Sequence, residues 1–521
     1  MQRVSPGRPP SGTAVDLNAA RNCKEIARLR GPVEAERQHY NVTLAILTLA
    51  GIAFALQQTM VIPALPTLQR DLHTTTTWVT WVLTVFLLVA SVATPILGKL
   101  GDQYGKERLL VISLAIFFVG SVGAAAAWNI WSLIAWRAVQ GAGAAVFPLS
   151  YGIIRDEFPR EKVGVAIGLV SAVFGIGGGF GIVLSGVIVD NVSWRWLFII
   201  GAVGIGIAMV LVYRFVPESP VKTPSRVDYV GAALLSGGLI SLLVALTEGE
   251  SWGWTSGRTL GLGAAALVFL VAWGYAELHV GEPMVDMRML GRREILFTNI
   301  TALIAGFAMF GTFVLVPNFV ETAHGLSAAL QRTVDYGLGA SATKAGLYLL
   351  PSSFALLFAG PIAGLIGRRT GFKWPLAVGM LLVSISAAWL AEWHDRPWQI
   401  LVTMLVLGVG VGFAFAAMAT LITEAVRPTE TGVATGMNTV ARTVGGVVGG
   451  QVGAALLTAH TIPGTNVPSV DGYTIAFALA AVVALVGAVV AVFITPPVRR
   501  RERLVVTASE AGDAAEVSLT S

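Results

Sequence analysis

The sequence predicts an all-α polytopic membrane protein: two six-helix bundles with two helices inserted between them, about 14 spans in all. Three observations predict it. The chain is poor in charge, it carries repeated apolar runs of membrane-crossing length, and a glycine-rich loop recurs in its two halves. Its 521 residues are 55% hydrophobic and only 12% charged, against roughly 25% charged in a soluble domain. The mean hydropathy is +0.73. A net charge of +5 fits basic loops on one membrane face, and no nucleic-acid partner is expected. The one cysteine, Cys23, excludes an intrachain disulfide and any Cys-based metal site. No metal and no cofactor are expected.

The first forty residues mix charge, Pro and Gly without an apolar core. No cleavable signal peptide is therefore expected, and the first span serves as the targeting signal. Apolar runs of about 20 residues mark the helices. They lie near 42–65, 78–98, 109–128, 131–154, 163–189, 194–214 and 229–247, then near 259–277, 296–319, 343–366, 374–391, 398–423, 431–458 and 472–495. An even number places both ends on one side. With both tails in the cytoplasm, Arg70, Arg195, Arg258, Arg332, Lys344 and Arg396 fall in outer loops. Arg137 and Arg442 fall within spans, and the rest of the 35 basic residues are on the inner side. That bias orients the chain in a cell inner (plasma) membrane with both termini cytoplasmic.

The stretch GKLGDQYGKE at 98–107 is echoed by GLIGRRTGFK at 364–373, with Gly98 matching Gly364 and Gly105 matching Gly371. The fifth and thirteenth spans are both dense in glycine, and Pro63 and Pro317 match near the ends of the first and ninth. The organisation is then a tail at 1–40, a bundle at 41–215, an insert at 228–278, a bundle at 295–496 and a tail at 497–521. Paired halves enclosing a central site are typical of transporters.

The loop after the second span joins Lys99, Asp102, Lys106, Glu107 and Arg108 to Gly98, Gly101 and Gly105. The glycines permit a sharp turn. Asp102 sits where it can accept N–H groups at a helix start or pair with a cation on a neighbouring loop. Lys106 and Arg108 hold the loop on the inner side. A topology anchor explains the cations but not the Gly-x-x-x-Asp-x-x-Gly-Lys spacing.

Here the chain resembles the major facilitator superfamily. GKLGDQYGKER looks like its signature loop, in the corresponding place. LIAWRAVQGAGAA, 133–145, resembles its fourth-span motif, with Arg137, Gln140, Gly141 and Gly143 in position. SWRWLF at 193–198, ALPTLQRDL at 64–72 and the central insert are similar to the fourteen-span drug/proton antiporter branch, over about residues 41–496. The resemblance implies the major facilitator fold. It also implies a latch at Gly98, Asp102, Gly105, Lys106 and Arg108 that locks the inward-closed contact between the halves, with Asp102 as its central acceptor. Two stretches depart from the branch. Gln57 stands where its antiporters carry a first-span Asp, and the fifth span ends GIVLSG, with Ile182 in place of a Pro and Ser185 in place of a Gly.

Every one of the 30 acids falls in a tail, a loop or the end turn of a span. The buried cations therefore stand out, since an intramembrane Arg is costly and marks a functional site. Arg137 is expected to face a central cavity, with Gln57 and Gln58 as its nearest first-span partners. Arg442 forms a polar stripe with Asn438 and Thr439; the competing reading is an Arg that snorkels to the cytoplasmic end of its span. Candidate proton carriers are the edge acids Glu321, Asp190 and Glu424, each of which also reads as a solvated loop acid. Aromatic and Met residues on the spans, among them Phe86, Phe147, Phe174, Phe310 and Phe415, supply adaptable apolar walls.

The expected function is a secondary exporter of hydrophobic or amphiphilic organic compounds, drugs or antibiotics, coupled to protons and working as a monomer in the lipid bilayer. A metabolite facilitator or importer not driven by protons stays open, as does a non-transporting membrane receptor or enzyme. An enzyme would need clustered His, Asp or Glu. The longest outer stretch, 321–344, holds Glu321, His324 and Asp335 at no ligand spacing. No Gly-x-x-x-x-Gly-Lys-Ser/Thr stretch is present, so ATP is not the expected driver.

Overall fold

The computed structural model describes residues 40–219, 228–322, 336–340, 342–463, 465 and 467–494. The expected tails, but for Tyr40, lie outside the described residues, as do 323–335 of the longest expected outer stretch.

The first half comprises α1 (Tyr40–Met60), the short α2 (Leu65–Asp71), α3 (Thr76–Tyr104), α4 (Lys106–Ala125), α5 (Ile130–Ala142), α6 (Val146–Glu157), α7 (Arg160–Asn191) and α8 (Arg195–Phe215). The insert is α9 (Tyr229–Trp252) and α10 (Gly257–His279), followed by the one-turn α11 (Met287–Leu290). The second half comprises α12 (Arg293–Glu321), α13 (Ala342–Thr370), α14 (Lys373–Glu392), α15 (Pro397–Ala425), α16 (Thr431–Ala459) and α17 (Val470–Val492). Among the described residues, 13 helical stretches are long and apolar enough to cross a membrane. At 32 residues, or about 48 Å, α7 is long enough for a further crossing.

The boundaries have local causes. Gly105, at φ 122, separates α3 from α4 in a backbone conformation closed to most side chains. Asn129 and Ser132 form a capping box at the start of α5, while Asp228 and Ser256 cap α9 and α10. The fourth crossing, expected as one run, is α5 and α6 joined by a break at residues 143–145. There Gly143 packs against the Ser113 carbonyl and Phe117, an approach that leaves no room for a side chain. The expected Pro63–Pro317 match differs in setting: Pro63 lies in the turn after α1, whereas Pro317 is inside α12.

Each half has its own apolar core. Phe54, Phe86, Phe117 and Phe147 belong to the first, and Met380, Met404, Phe415 and Phe477 to the second. The halves meet along two long seams, α7 against α13 and α3 against α16. Gly168 faces Gly360 and Gly164 faces Gly364 in the first seam, while Gly98 faces Gly432 in the second. Small residues of this kind let helix backbones touch in lipid. The insert leans on the second seam, through α9 against α3 and α16. Only 17% of the apolar window of α10 is buried in the protein, against 67% for α15, so α10 faces lipid.

Candidate functional site

The ends of α3, α6 and α15 and the starts of α4, α7 and α16 converge on one face, called the basic face below. Asp102, in the last turn of α3, reaches across the seam. Its Oδ1 accepts the Gly432 N–H at 3.1 Å and its Oδ2 accepts the Val433 N–H at 3.1 Å. These are first-turn amides of α16, where free N–H groups and the helix dipole favour a carboxylate. Close approach of Gly98 to the Gly432 backbone makes that reach possible.

Lys106 ties the cluster together. Its Nζ lies 3.5 Å from Asp102 Oδ1 and 2.7 Å from Asp156 Oδ2, and it donates to the Pro428 carbonyl at 3.4 Å. The side chain is fully buried. Asp156 also accepts from Ser219 Oγ at 2.5 Å. Beside it, Arg155 crosses the seam and donates to the Val426 carbonyl and to Thr431 Oγ1, both at 2.6 Å, and to the Arg427 carbonyl at 3.1 Å. Arg108 is exposed and lies 3.5 Å from Glu218.

Above this floor lies a cavity between the halves. Phe54, Gln58, Phe86, Phe147 and Pro148 line it from the first half, and Thr439, Arg442 and Thr443 from α16. The open space is about 60 Å³, room for about two waters. Phe54 sits edge-on to Phe147, with centroids 5.8 Å apart, and tilted to Phe86 at 6.3 Å. The Arg442 guanidinium stacks 4.4 Å from the ring centre of Phe415.

The latch residues expected from sequence, Gly98, Asp102, Gly105, Lys106 and Arg108, therefore come together in one cluster. The cavity residues divide. Gln58 and Arg442 line the cavity, so Arg442 does not snorkel to the helix end. Gln57 and Arg137 do not line it, and the expected pairing of Arg137 with Gln57 is not seen. Arg137 is fully buried and donates from Nε to the Val82 carbonyl at 3.0 Å and from Nη1 to Gln140 Oε1 at 2.7 Å. Gln140 in turn donates to Ser121 Oγ at 2.7 Å. The reason lies in helix geometry: adjacent residues point about 100° apart. With Gln58 turned to the cavity, Gln57 turns to α8, where its amide meets Gly201 with no hydrogen-bond partner.

Asn438 also turns away, donating to Asn299 of α12 at 3.0 Å. The three acids proposed as proton carriers lie outside the cavity lining. Glu424 and Asp190 are exposed at helix ends, Glu321 is half-buried at the end of α12, and Asp190 accepts from Thr343 Oγ1 at 3.3 Å across the α7–α13 seam. The side chains of Phe174 and Phe310 are outside the described residues.

Sequence reasoning missed Phe54, Arg155 and Asp156. The signal for the last two was present: Arg155, Asp156 and Glu157 close the fourth span shortly before Pro159. A cation and an acid at the end of an apolar run mark a face where charges meet.

Two halves of six helices around a largely apolar cavity, closed on one side by a charged contact, are the architecture of a membrane transporter. The family model described as Major Facilitator Superfamily matches residues 47–334 and 328–518, and the chain belongs to that family, which comprises transporters rather than enzymes. It is 29% identical over 397 residues to the Multidrug resistance protein 3 of Bacillus subtilis, covering 74% of each chain. It is 28% identical over 346 residues to the Tetracenomycin C resistance and export protein of Streptomyces glaucescens, over 66% of this chain and 62% of that one. Its relatives are thus of the drug-efflux type. The fold is that of the human organic anion transporter MFSD10, whose crystal structure superimposes with a TM-score of 0.61 over 87% of this chain and 100% of that one, at 13% identity.

Proposed function

We propose that the protein is a secondary exporter of hydrophobic or amphiphilic organic compounds, drugs or antibiotics, coupled to protons and working by alternating access. One observation carries the reading: an aromatic cavity between the halves is floored on the basic face by contacts that only one orientation of the halves can make. Asp102 on the α16 amides and Arg155 on the Val426 carbonyl span the seam, and rocking the halves apart would break them. Contacts present in one state bias a two-state equilibrium. The small open space fits a waiting state that widens to admit a drug-sized molecule. Efflux relatives in Bacillus and Streptomyces support the substrate class.

The basic face is cytoplasmic in this reading, as are both tails, 1–40 and 497–521. The bundles run 41–215 and 295–496 around the insert 228–278, and the monomer, set in the cell membrane, is the working unit. Proton coupling falls to acids outside the cavity lining. Asp190 is the candidate best placed for it, because its contact with Thr343 joins the halves.

A second reading, a facilitator not driven by protons, is favoured by one feature: no carboxylate appears among the described lining residues. Efflux assays in everted vesicles across a compound panel, with and without a protonophore, separate the two. Accumulation that collapses with the protonophore supports the antiporter. Accumulation that ignores it, or simple equilibration, supports the facilitator.

A further inference from the structure

The glycine-rich turn occurs twice, and its two copies are used differently. Gly98 matches Gly364, so Arg368 stands where Asp102 does. Both glycines pack on the backbone of a helix from the other half, Gly98 on Gly432 and Gly364 on Gly164. In the first copy the acid is buried and closes the seam. In the second, Arg368 and Arg369 are exposed in the last turn of α13. Neither forms an ion pair or a hydrogen bond among the described residues. Glu161, the acid in the first turn of α7, pairs with neither. Other cations of the basic face are engaged: Arg427 pairs with Glu430, Arg292 donates to the Ala425 carbonyl and Lys99 to the Pro283 carbonyl.

The two arginines share an open groove of about 370 Å³ with Leu365 and Ile366, and no acid lines it among the described residues. Small-molecule sites run to about 300–1,000 Å³, so the groove has room for a whole headgroup and not merely a single ion. Its depth sets which ligand. Thr343–Thr370 is long and apolar enough to cross a membrane, and the groove lies where that crossing ends. Leu365 and Ile366, both exposed, sit one turn deeper and meet acyl chains, while the guanidiniums reach the headgroup layer. Trp374, exposed just past the turn at Gly371, marks the same level. Lys373 adds a third cation, its ammonium 5.1 Å from the centre of that ring. A helix C-terminus attracts a cation by its dipole, but that does not explain an apolar-walled groove with two.

We propose that this groove binds an anionic phospholipid. Arg368 and Arg369 take the phosphodiester, their planar forks matching its oxygens, and Leu365 and Ile366 hold the start of the acyl chains. Basic pockets at the membrane surface recognise acidic headgroups in this way. The groove shares no lining residue with the cavity between the halves, and the inference stands apart from the export reading.

The probes are dioleoyl phosphatidylglycerol and dioleoyl phosphatidylcholine, alike in acyl chains and unlike in charge. Each is titrated into the purified full-length protein in dodecyl maltoside, and bound lipid is counted by native mass spectrometry. The phosphatidylglycerol should bind about tenfold or more tightly, as two basic side chains near the surface would give. Arg368→Gln/Arg369→Gln should erase the preference. Arg288→Gln/Arg293→Gln, which neutralises two exposed cations flanking Arg292, should keep it. The comparison on the unaltered protein stands where a variant fails to fold. Equal binding of the two lipids, a preference that survives folded Arg368→Gln/Arg369→Gln, or an equal loss in Arg288→Gln/Arg293→Gln would overturn the proposal. So would displacement of the phosphatidylglycerol by millimolar glycerol 1-phosphate, which would mark a site for free phosphate in place of lipid.

Discussion

The Arg137 guanidinium lies over the ring of Phe86, 4.3 Å from its centre, and of the two only Phe86 lines the cavity. The buried charge of the fourth span thus acts through an aromatic wall and a hydrogen-bonded chain to Gln140 and Ser121, while Arg442 from the other half meets the cavity directly.

Asp102→Asn keeps the size of the side chain but gives up its charge and one of its two acceptor oxygens. The contacts to Gly432 and Val433 are charge-assisted, so the closed orientation should lose about 1–3 kcal/mol. Thiol accessibility of a Thr439→Cys reporter, in a Cys23→Ser background, should rise several-fold from the basic face while transport falls. An unchanged accessibility would reduce the loop to a topology anchor.

Lys106→Met leaves Asp102 and Asp156 buried without their shared cation. Breaking such a pair costs about 3–5 kcal/mol, and the melting temperature in detergent should drop clearly. Adding Asp156→Asn to Lys106→Met should recover part of the loss, because one of the stranded charges is removed. Additive losses in that double variant would show that Lys106 and Asp156 act independently.

Gln57 and Gln58 should behave in opposite ways. Gln57→Leu removes two buried polar atoms that have no partner, so stability should hold or rise by about 1 kcal/mol with transport kept. Gln58→Leu changes the cavity lining and should alter substrate affinity at unchanged stability. Paired melting curves and concentration-dependent efflux check both, and the reverse outcome would turn α1 by one residue.

The sidedness of the chain is tested at Thr255, exposed in the turn between α9 and α10. In a Cys23→Ser background, an impermeant thiol reagent added to intact cells should label Thr255→Cys and spare Ser509→Cys. Labelling of Ser509→Cys alone would place the basic face outside.

The helices and the turn at Gly105 were legible because their signals are local. A run of apolar residues sets a span, and glycine at 105 with acid and base at fixed offsets sets a turn. The partners of Asp102 were not legible as residues, since they are backbone amides of α16, 330 and 331 positions away. Any sequence supplies such donors, and only the fold selects which ones. The placement of Gln57 beside Gln58 at the cavity failed for a related reason. Adjacent glutamines on an apolar helix give no periodic clue to which one faces the partner half, and the packing of α1 against Gly201 decides it.

Where Gly164 meets Gly364 and Gly168 meets Gly360, main chain rests on main chain. Interlocked side chains make a gear: each step past a neighbour requires rotamers to release and re-engage. Bare glycine surfaces make a bearing. Sliding of α13 along α7 meets no such teeth at these points, so the seam itself stores little preference for one position. The resting position is then set at the rim, by a few hydrogen bonds at the helix ends, and a single substitution there carries more leverage than several in the middle of the seam.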